Sequence, residues 1–139
     1  MPMPYRVLLT HPKNVSDEEI NALADEACAV IRGALPDRDV IVTPGRDEYA
    51  QTFRRCGTWD AWARNAATGV EYGTGLPRYH AFVVAPAASV GRATSGILRH
   101  ALASNKPVFL LSGGVLSRVR GLETPEHGGD YFTDAICVT

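Results

Sequence analysis

Residues 80–111, HAFVVAPAASVGRATSGILRHALASNKPVFLL, contain the succession of elements that decides the fold class. They begin with a short apolar run (80–85) and end with another (107–111), each with the length and composition of a buried strand. Between them, residues 89–105 carry apolar side chains at helical spacing. That helix ends at Asn105, a residue type that suits the position just after a helix. Strand, helix and strand in this order predict a parallel β-α-β unit.

Similar elements lie on both sides of this unit. The apolar runs 5–10, 39–43 and 135–138 predict three further strands. An amphipathic helix is predicted between Ser16 and Pro36, with Ser16 and Glu19 forming a capping box. Residues 47–68 predict helical structure that is interrupted at Gly57. Strands alternating with helices predict one α/β domain over residues 1–139: a three-layer, doubly wound, mostly parallel five-stranded sheet of the flavodoxin or Rossmann-like type.

The composition narrows the class of protein. The chain has 139 residues, 45% of them hydrophobic and 21% charged, which is typical of a globular domain. A formal net charge of −1 favours neither nucleic acid nor an anionic membrane as a partner. The three cysteines have no metal-ligand spacing, so we expect no metal site. We also expect no cofactor. Because the N-terminal apolar run is too short for a signal peptide, we expect a cytoplasmic protein.

Several well-known nucleotide-binding and catalytic motifs are missing from the positions where α/β proteins carry them. No GxGxxG follows the first predicted strand, and no GxxxxGK[ST] occurs anywhere in the chain. The nucleophile motif GxSxG is also absent. These absences argue against an ordinary dinucleotide site, a Walker-type NTPase and an α/β-hydrolase.

Open α/β sheets bind ligands at the carboxyl ends of their strands, which directs attention to residues 10–16, 43–47, 85–95 and 112–118. In the third of these loops, Gly91, Arg92, Thr94 and Ser95 stand at the start of a predicted helix. A helix start with glycine, hydroxyls and a guanidinium favours a phosphate or carboxylate. The alternative is an ordinary helix cap whose small residues pack against the sheet.

The fourth loop begins with Ser112 and Gly113, where a ligand is able to approach the backbone; a plain tight turn is the alternative. His11 follows the first strand and is a candidate base or ligand contact, or simply a loop histidine. Trp59 and Trp62 are predicted core residues; the alternative is stacking on a nucleobase at Trp59, with the base edge hydrogen-bonded to Asp60. The late group Glu123, Glu126, His127 and Asp130 reads as a solvated loop, and its spacing resembles no metal site.

Residues 101–108, ALASNKPV, together with Thr94 and Ser95 near a Gly-Thr position, give the chain a family resemblance. It resembles the nucleoside 2-deoxyribosyltransferase-like superfamily over about two-thirds of its length by element order. The first strand ending in Thr10-His11-Pro12 and the tryptophan-bearing second helix also fit. The resemblance implies a small-molecule nucleotide or nucleoside as ligand, with N-glycosidase or deoxyribosyltransferase activity. It also implies a homo-oligomer, since the related enzymes complete their sites across subunit contacts.

The chain departs from this family at the catalytic position. The transferases place a glutamate nucleophile on the helix nine residues before the lysine, and that position is Ile97 here. An apolar side chain cannot attack an anomeric carbon. We therefore expect Glu48 or Asp60 to supply the catalytic carboxylate, with Asp47 and Glu71 as further candidates. The alternative function is a non-catalytic ligand sensor, sequestering protein or assembly module that binds a phosphate-containing ligand.

Overall fold

A computed structural model describes residues 4–70, 74–87, 89–123 and 134–138 of the chain. These residues form seven strands and four helices. In chain order, the elements are β1 (Tyr5–Thr10), α1 (Asp17–Ala34), β2 (Val40–Pro44), α2 (Gly45–Cys56), α3 (Trp59–Thr68), β3 (Ala81–Val84), β4 (Ser89–Val90), α4 (Arg92–Ala103), β5 (Val108–Ser112), β6 (Val115–Glu123) and β7 (Asp134–Val138).

The strands form one mixed sheet in the order β2-β1-β3-β5-β6-β7-β4. The first four of these are parallel, and Val7 of β1 lies between Val42 of β2 and Ala81 of β3. The pairs β5–β6, β6–β7 and β7–β4 are antiparallel. The predicted α/β class is therefore confirmed, with a parallel part of four strands and an antiparallel extension.

The predicted five-stranded sheet is wrong in its strand count, whereas the strand predicted over residues 135–138 is confirmed as part of β7. Residues 112–118 form no open loop, because Gly113 (φ 57°) and Gly114 (φ 75°) make a two-residue hairpin between β5 and β6. Two consecutive residues with positive φ are what a type I′ hairpin turn requires. The last strand, β7, pairs antiparallel with β6 on one side and with β4 on the other. β4 occupies residues predicted as the start of a helix.

The helix boundaries follow the predicted caps closely. Ser16 Oγ accepts the Glu19 N–H at 3.2 Å, which caps α1, and Gly57 in the left-handed region (φ 80°) separates α2 from α3. At the end of α4, Asn105 has φ 59°, and the Lys106 N–H donates to the Ala101 carbonyl at 3.0 Å. This is a Schellman arrangement, so the predicted role of Asn105 is confirmed.

The core lies on both faces of the parallel strands. On one face, Val7 and Leu9 of β1 pack with Ala27 and Ile31 of α1. On the other face a second cluster contains Leu8, Phe82, Val84 and Val108 of the sheet with Trp62, Ala66, Ile97 and Leu98 of α3 and α4. Successive side chains of a strand point to opposite faces, which explains the division. The helix after β1 and the helix after β3 therefore cover opposite faces of the sheet.

Candidate functional site

A cleft opens where the chain leaves β1 and β3 toward opposite faces of the sheet. Its volume is about 90 Å³. Its walls come from the end of β1 and the loop after it, from the end of β3 and the loop after it, and from the first turn of α4. They comprise Thr10, His11, Pro12, Val84, Ala85, Ala87, Val90, Gly91 and Thr94. Three predicted ligand-binding residues, His11, Gly91 and Thr94, thus come together although about 80 residues separate His11 from the others.

The floor of the cleft is rigid because its strands are deeply buried. Val84 and Ala85 are each 2% exposed, and so is Thr10. The Ala85 N–H donates to the Thr10 carbonyl at 2.9 Å, which extends the β1–β3 pairing to the edge of the cleft. The two loops therefore diverge from fixed points.

The first turn of α4 forms one wall of the cleft and lacks a side-chain cap. The N-cap residue is Gly91, in an extended conformation, and it has no side chain to accept a hydrogen bond from the amides that follow. The first intrahelical bond runs from the Ser95 N–H to the Gly91 carbonyl at 2.8 Å. Amides in the first turn of a helix point outward along its axis and carry the positive end of the helix dipole. This wall is therefore suited to an anion.

His11 forms a second wall, and its hydrogen bonds fix its tautomer. Nε2 lies 3.0 Å from the backbone N of Arg46, and Nδ1 lies 3.0 Å from the Pro12 carbonyl oxygen. A backbone amide only donates and a carbonyl only accepts, so Nε2 is the acceptor and Nδ1 carries the proton. Both ring nitrogens are occupied within the protein. His11 therefore joins the loop after β1 to the start of α2 and offers the cleft a ring edge instead of a base.

The size and lining of the cleft limit its chemistry. A volume of about 90 Å³ corresponds to a few water molecules and is well below the 300–1,000 Å³ or so of pockets that enclose drug-sized ligands. Among the residues that the structure describes, none with a carboxylate lines this cleft. It has room for a phosphate or carboxylate group and offers hydroxyls, helix amides and apolar contact, but no nucleophile for an anomeric carbon.

Glu48, one of the two predicted catalytic carboxylates, lies in a buried network apart from the cleft lining. Its side chain is fully buried. Both Nε and Nη2 of Arg78, whose side chain is only 12% exposed, donate hydrogen bonds to the carboxylate. The Tyr79 hydroxyl donates to Oε2 at 2.7 Å, and Thr52 Oγ1 lies 3.1 Å from Oε1. The Trp62 indole N–H donates to Thr52 at 2.9 Å. With its oxygens engaged and closed to solvent, Glu48 cannot reach a ligand in the cleft.

This Glu48 network stabilises the chain segment that enters β3. Burial, together with the neighbouring Glu48 carboxylate, raises the pKa of the Tyr79 hydroxyl above 10.0, so the phenol stays protonated as a donor. Lys106 Nζ donates to the carbonyls of Tyr79 (3.1 Å) and Ala67 (2.7 Å), and burial lowers the pKa of this amine. Residues from α2, α3, the segment before β3 and the end of α4 are thereby tied together.

Trp59 and Asp60 lie at the exposed start of α3, and neither lines the cleft. Trp59 is 51% exposed and stacks on Tyr49 at 5.5 Å between ring centroids, while Trp62 beneath it is only 4% exposed. Phe53 completes this aromatic cluster, 4.6 Å from Trp59. The core interpretation therefore holds for Trp62, whereas Trp59 is a partly exposed ring packed on its neighbours.

The other predicted ligand-binding residues do not line the cleft. Ser95 is 6% exposed, and its hydroxyl accepts from Arg99 Nε at 3.3 Å. Arg92 is the first residue of α4 and is exposed beside Gly91. Ser112 and Gly113 lie at the tip of the β5–β6 hairpin, which agrees with the tight-turn alternative. Glu123, predicted to lie in a solvated loop, is instead the last residue of β6, and Glu71, Glu126, His127 and Asp130 fall outside the described residues.

Two structural features escaped prediction from the sequence. Thr10 falls in the predicted site range 10–16 but is not among the individually predicted site residues, although its place as the last residue of β1 is a usable signal for one. The pairing of Glu48 with Arg78 had no signal, because the two residues are separated by 30 positions and a glycine-rich loop.

The described ranges lack two other kinds of functional feature. No three side chains of His, Cys, Asp or Glu come together there as a metal site requires. Nor does that part of the chain contain a helix long and apolar enough to cross a membrane. No protein-family model, curated protein or solved structure matches the chain.

Proposed function

We propose that this chain is a nucleotide-binding domain that holds the phosphate of its ligand in the cleft between β1, β3 and α4. The observation that carries the proposal is the first turn of α4, which begins at Gly91 without a side-chain cap from that residue and borders the cleft at Gly91 and Thr94. An anion there receives helix amides and the positive end of the dipole. None of the described lining residues carries a negative charge that would repel it.

The strand order supports this location. We interpret the parallel part, β2-β1-β3-β5, with α1 on one face and α3 and α4 on the other, as a three-layer, doubly wound arrangement. In such sheets the ligand crevice forms at the point where successive connections leave in opposite directions. That point lies between β1 and β3, which are the two strands whose ends form the floor of the cleft.

The cleft volume indicates how much of the ligand is enclosed. At about 90 Å³ it accommodates a phosphate group but not a whole nucleoside. In this proposal the sugar and base lie outside the cleft, across its open mouth. Base stacking on Trp59 becomes a subsidiary proposal, since that ring is half exposed but does not line the cleft.

Of the two versions of this function, the non-catalytic one has the stronger support. N-glycosidic transfer or hydrolysis needs a carboxylate beside the anomeric carbon. Glu48 is fully buried against Arg78, Ile97 is in the core, and Asp60 does not line the cleft. A ligand sensor or sequestering protein requires only the binding site.

Isothermal titration tests the binding proposal directly. Adenosine monophosphate, inorganic phosphate and adenosine are titrated separately into the full chain. We expect the two phosphate-bearing compounds to bind and adenosine to bind much more weakly or not at all. Tight binding of adenosine with no binding of phosphate would contradict the assignment of the cleft.

The catalytic version is tested by release of free base from nucleosides, deoxynucleosides and nucleoside monophosphates. We expect no release above background. If base is released, the assay is repeated with Asp60→Ala and with Glu48→Gln. A fall in rate for the folded Asp60 variant would restore the enzymatic version of the function.

A further inference from the structure

The last strand, β7, is connected to the cleft through its pairing with β4. It pairs with β6 on one side, and on the other with β4, where Ser89 lies opposite Ala135 and Val90 opposite Asp134. Gly91, the N-cap of α4, follows β4 immediately. The chain therefore passes directly from β4, the partner of β7, into the wall of the proposed phosphate site.

Val90 links this pairing to the cleft. Its side chain is 6% exposed, belongs to the core cluster beneath α3 and α4, and lines the cleft together with Gly91. Because β4 has only two residues, an isolated segment of that length has no intrinsic stability as a strand. Antiparallel pairing with β7 is what supplies its backbone with a partner.

The other side of β7 is attached to the body of the domain. Ile136 of β7 and Leu122 of β6 pack against the same core cluster as Val90. Val119 of β6 is 1% exposed, and β6 itself pairs with the parallel strand β5. A continuous hydrogen-bonded path thus runs from β5 through β6 and β7 to the residue before the helix cap.

We propose that β7 is the positioning element of the phosphate site: it fixes Val90 and Gly91 so that the first turn of α4 faces the cleft. This inference rests on the proposed function and assigns that function's site a dependence on the C-terminus of the chain. A consequence is that binding and pairing are reciprocally coupled. Phosphate bound at α4 stabilises the β4–β7 pairing by the same factor by which the pairing strengthens binding.

The test compares two double-proline variants of the full chain. Successive residues of a strand direct their amides to opposite edges, so Asp134→Pro with Ala135→Pro removes one N–H that faces β4. Cys137→Pro with Val138→Pro is the matched control, because those residues lie beyond β4, and the strand partners that the structure describes for them are in β6. Affinity for inorganic phosphate is measured by titration, and hydrogen exchange is followed at the amides of residues 90–94.

We expect the first variant to lose phosphate affinity on the order of tenfold, within the range of typical coupling energies, with faster exchange at the β4 amide that faces β7. In the control, we expect that amide to keep its protection and phosphate affinity to stay at the wild-type value. In the wild type, phosphate slows exchange in β7. A variant with unprotected β4 amides and wild-type affinity would overturn the inference. Failure of the wild type to bind phosphate would instead overturn the proposed function, and the inference with it.

Discussion

Replacing Glu48 by glutamine distinguishes a structural carboxylate from a catalytic one. The native carboxylate is fully buried and receives two N–H groups of Arg78 and the hydroxyl of Tyr79. The neutral amide of glutamine leaves the guanidinium, itself only 12% exposed in its side chain, without a counter-ion. The nitrogen of that amide also points its N–H groups at the hydrogen-bond donors that faced the carboxylate, which do not accept them. The substitution therefore breaks a buried ion pair by removing one partner.

Removal of one member of such a pair typically costs about 3–5 kcal/mol. A domain of this kind is stable by about 5–15 kcal/mol, so the loss is a large share of the total. With a urea dependence of about 2 kcal/mol per molar, the midpoint of unfolding falls by roughly 2 M. Equilibrium urea denaturation followed by tryptophan fluorescence measures this change, because Trp62 is hydrogen-bonded to the same network through Thr52.

The adjacent carboxylate provides the control. Asp47 pairs with Arg46 at 3.0 Å, but its side chain is 43% exposed. Asp47→Asn should change the free energy of unfolding by less than about 1 kcal/mol, as for other exposed pairs. Arg78→Met should cost about as much as Glu48→Gln, and the double variant less than the sum of the two. A loss below about 1 kcal/mol for Glu48→Gln would refute the structural assignment.

Three other predictions concern the cleft and two shifted pKa values. Gly91→Asp and Gly91→Asn both cap α4 in open space, so neither should destabilise the fold. In titrations the aspartate variant should bind phosphate at least about fivefold more weakly than the asparagine variant, because its charge costs about 1–4 kcal/mol near an anion at ~4 Å; equal affinities would contradict an anion site. The pKa of Tyr79 is raised, so the native state holds a proton that the unfolded chain loses above pH 10.0, and the free energy of unfolding should fall as the pH rises beyond that value. Urea unfolding of Tyr79→Phe should show a smaller fall over the same pH range; an unchanged pH dependence would contradict this reasoning. Burial, with nearby cations, lowers the pKa of His80, whose Nδ1 accepts the Arg6 N–H, so its NMR titration midpoint should lie below 6.5. The contribution of this pKa shift to the free energy of unfolding is therefore complete above pH 6.5 and lost below it, whereas a midpoint above 6.5 would contradict the hydrogen bond.

Much of the parallel part of the fold could be predicted because its signals are local. The capping box at Ser16, the break at Gly57 and the end of α4 at Asn105 each depend on a few adjacent residues. The cleft also follows from local order, since the ends of β1 and β3 are identifiable as strand ends. His11, Gly91 and Thr94 could therefore be assigned to one site before their contacts were known.

The antiparallel extension and the role of Glu48 could not be predicted, because both depend on distant partners. β4 is two residues long and exists through its pairing with β7, more than 40 positions away. Glu48 looks like an exposed acidic residue in the first turn of a helix, which is favourable at that end of the helix dipole anyway. Only the arrival of Arg78 and Tyr79 converts it into a buried, paired carboxylate.

The central claim is that a phosphate group binds at the first turn of α4, and an NMR titration of the ¹⁵N-labelled chain with adenosine monophosphate tests it most directly. The account predicts saturable shifts at the amides of residues 91–95, reproduced in position by inorganic phosphate and absent with adenosine. Shifts confined to the aromatic cluster around Trp59, or no shift at the start of α4, would contradict it.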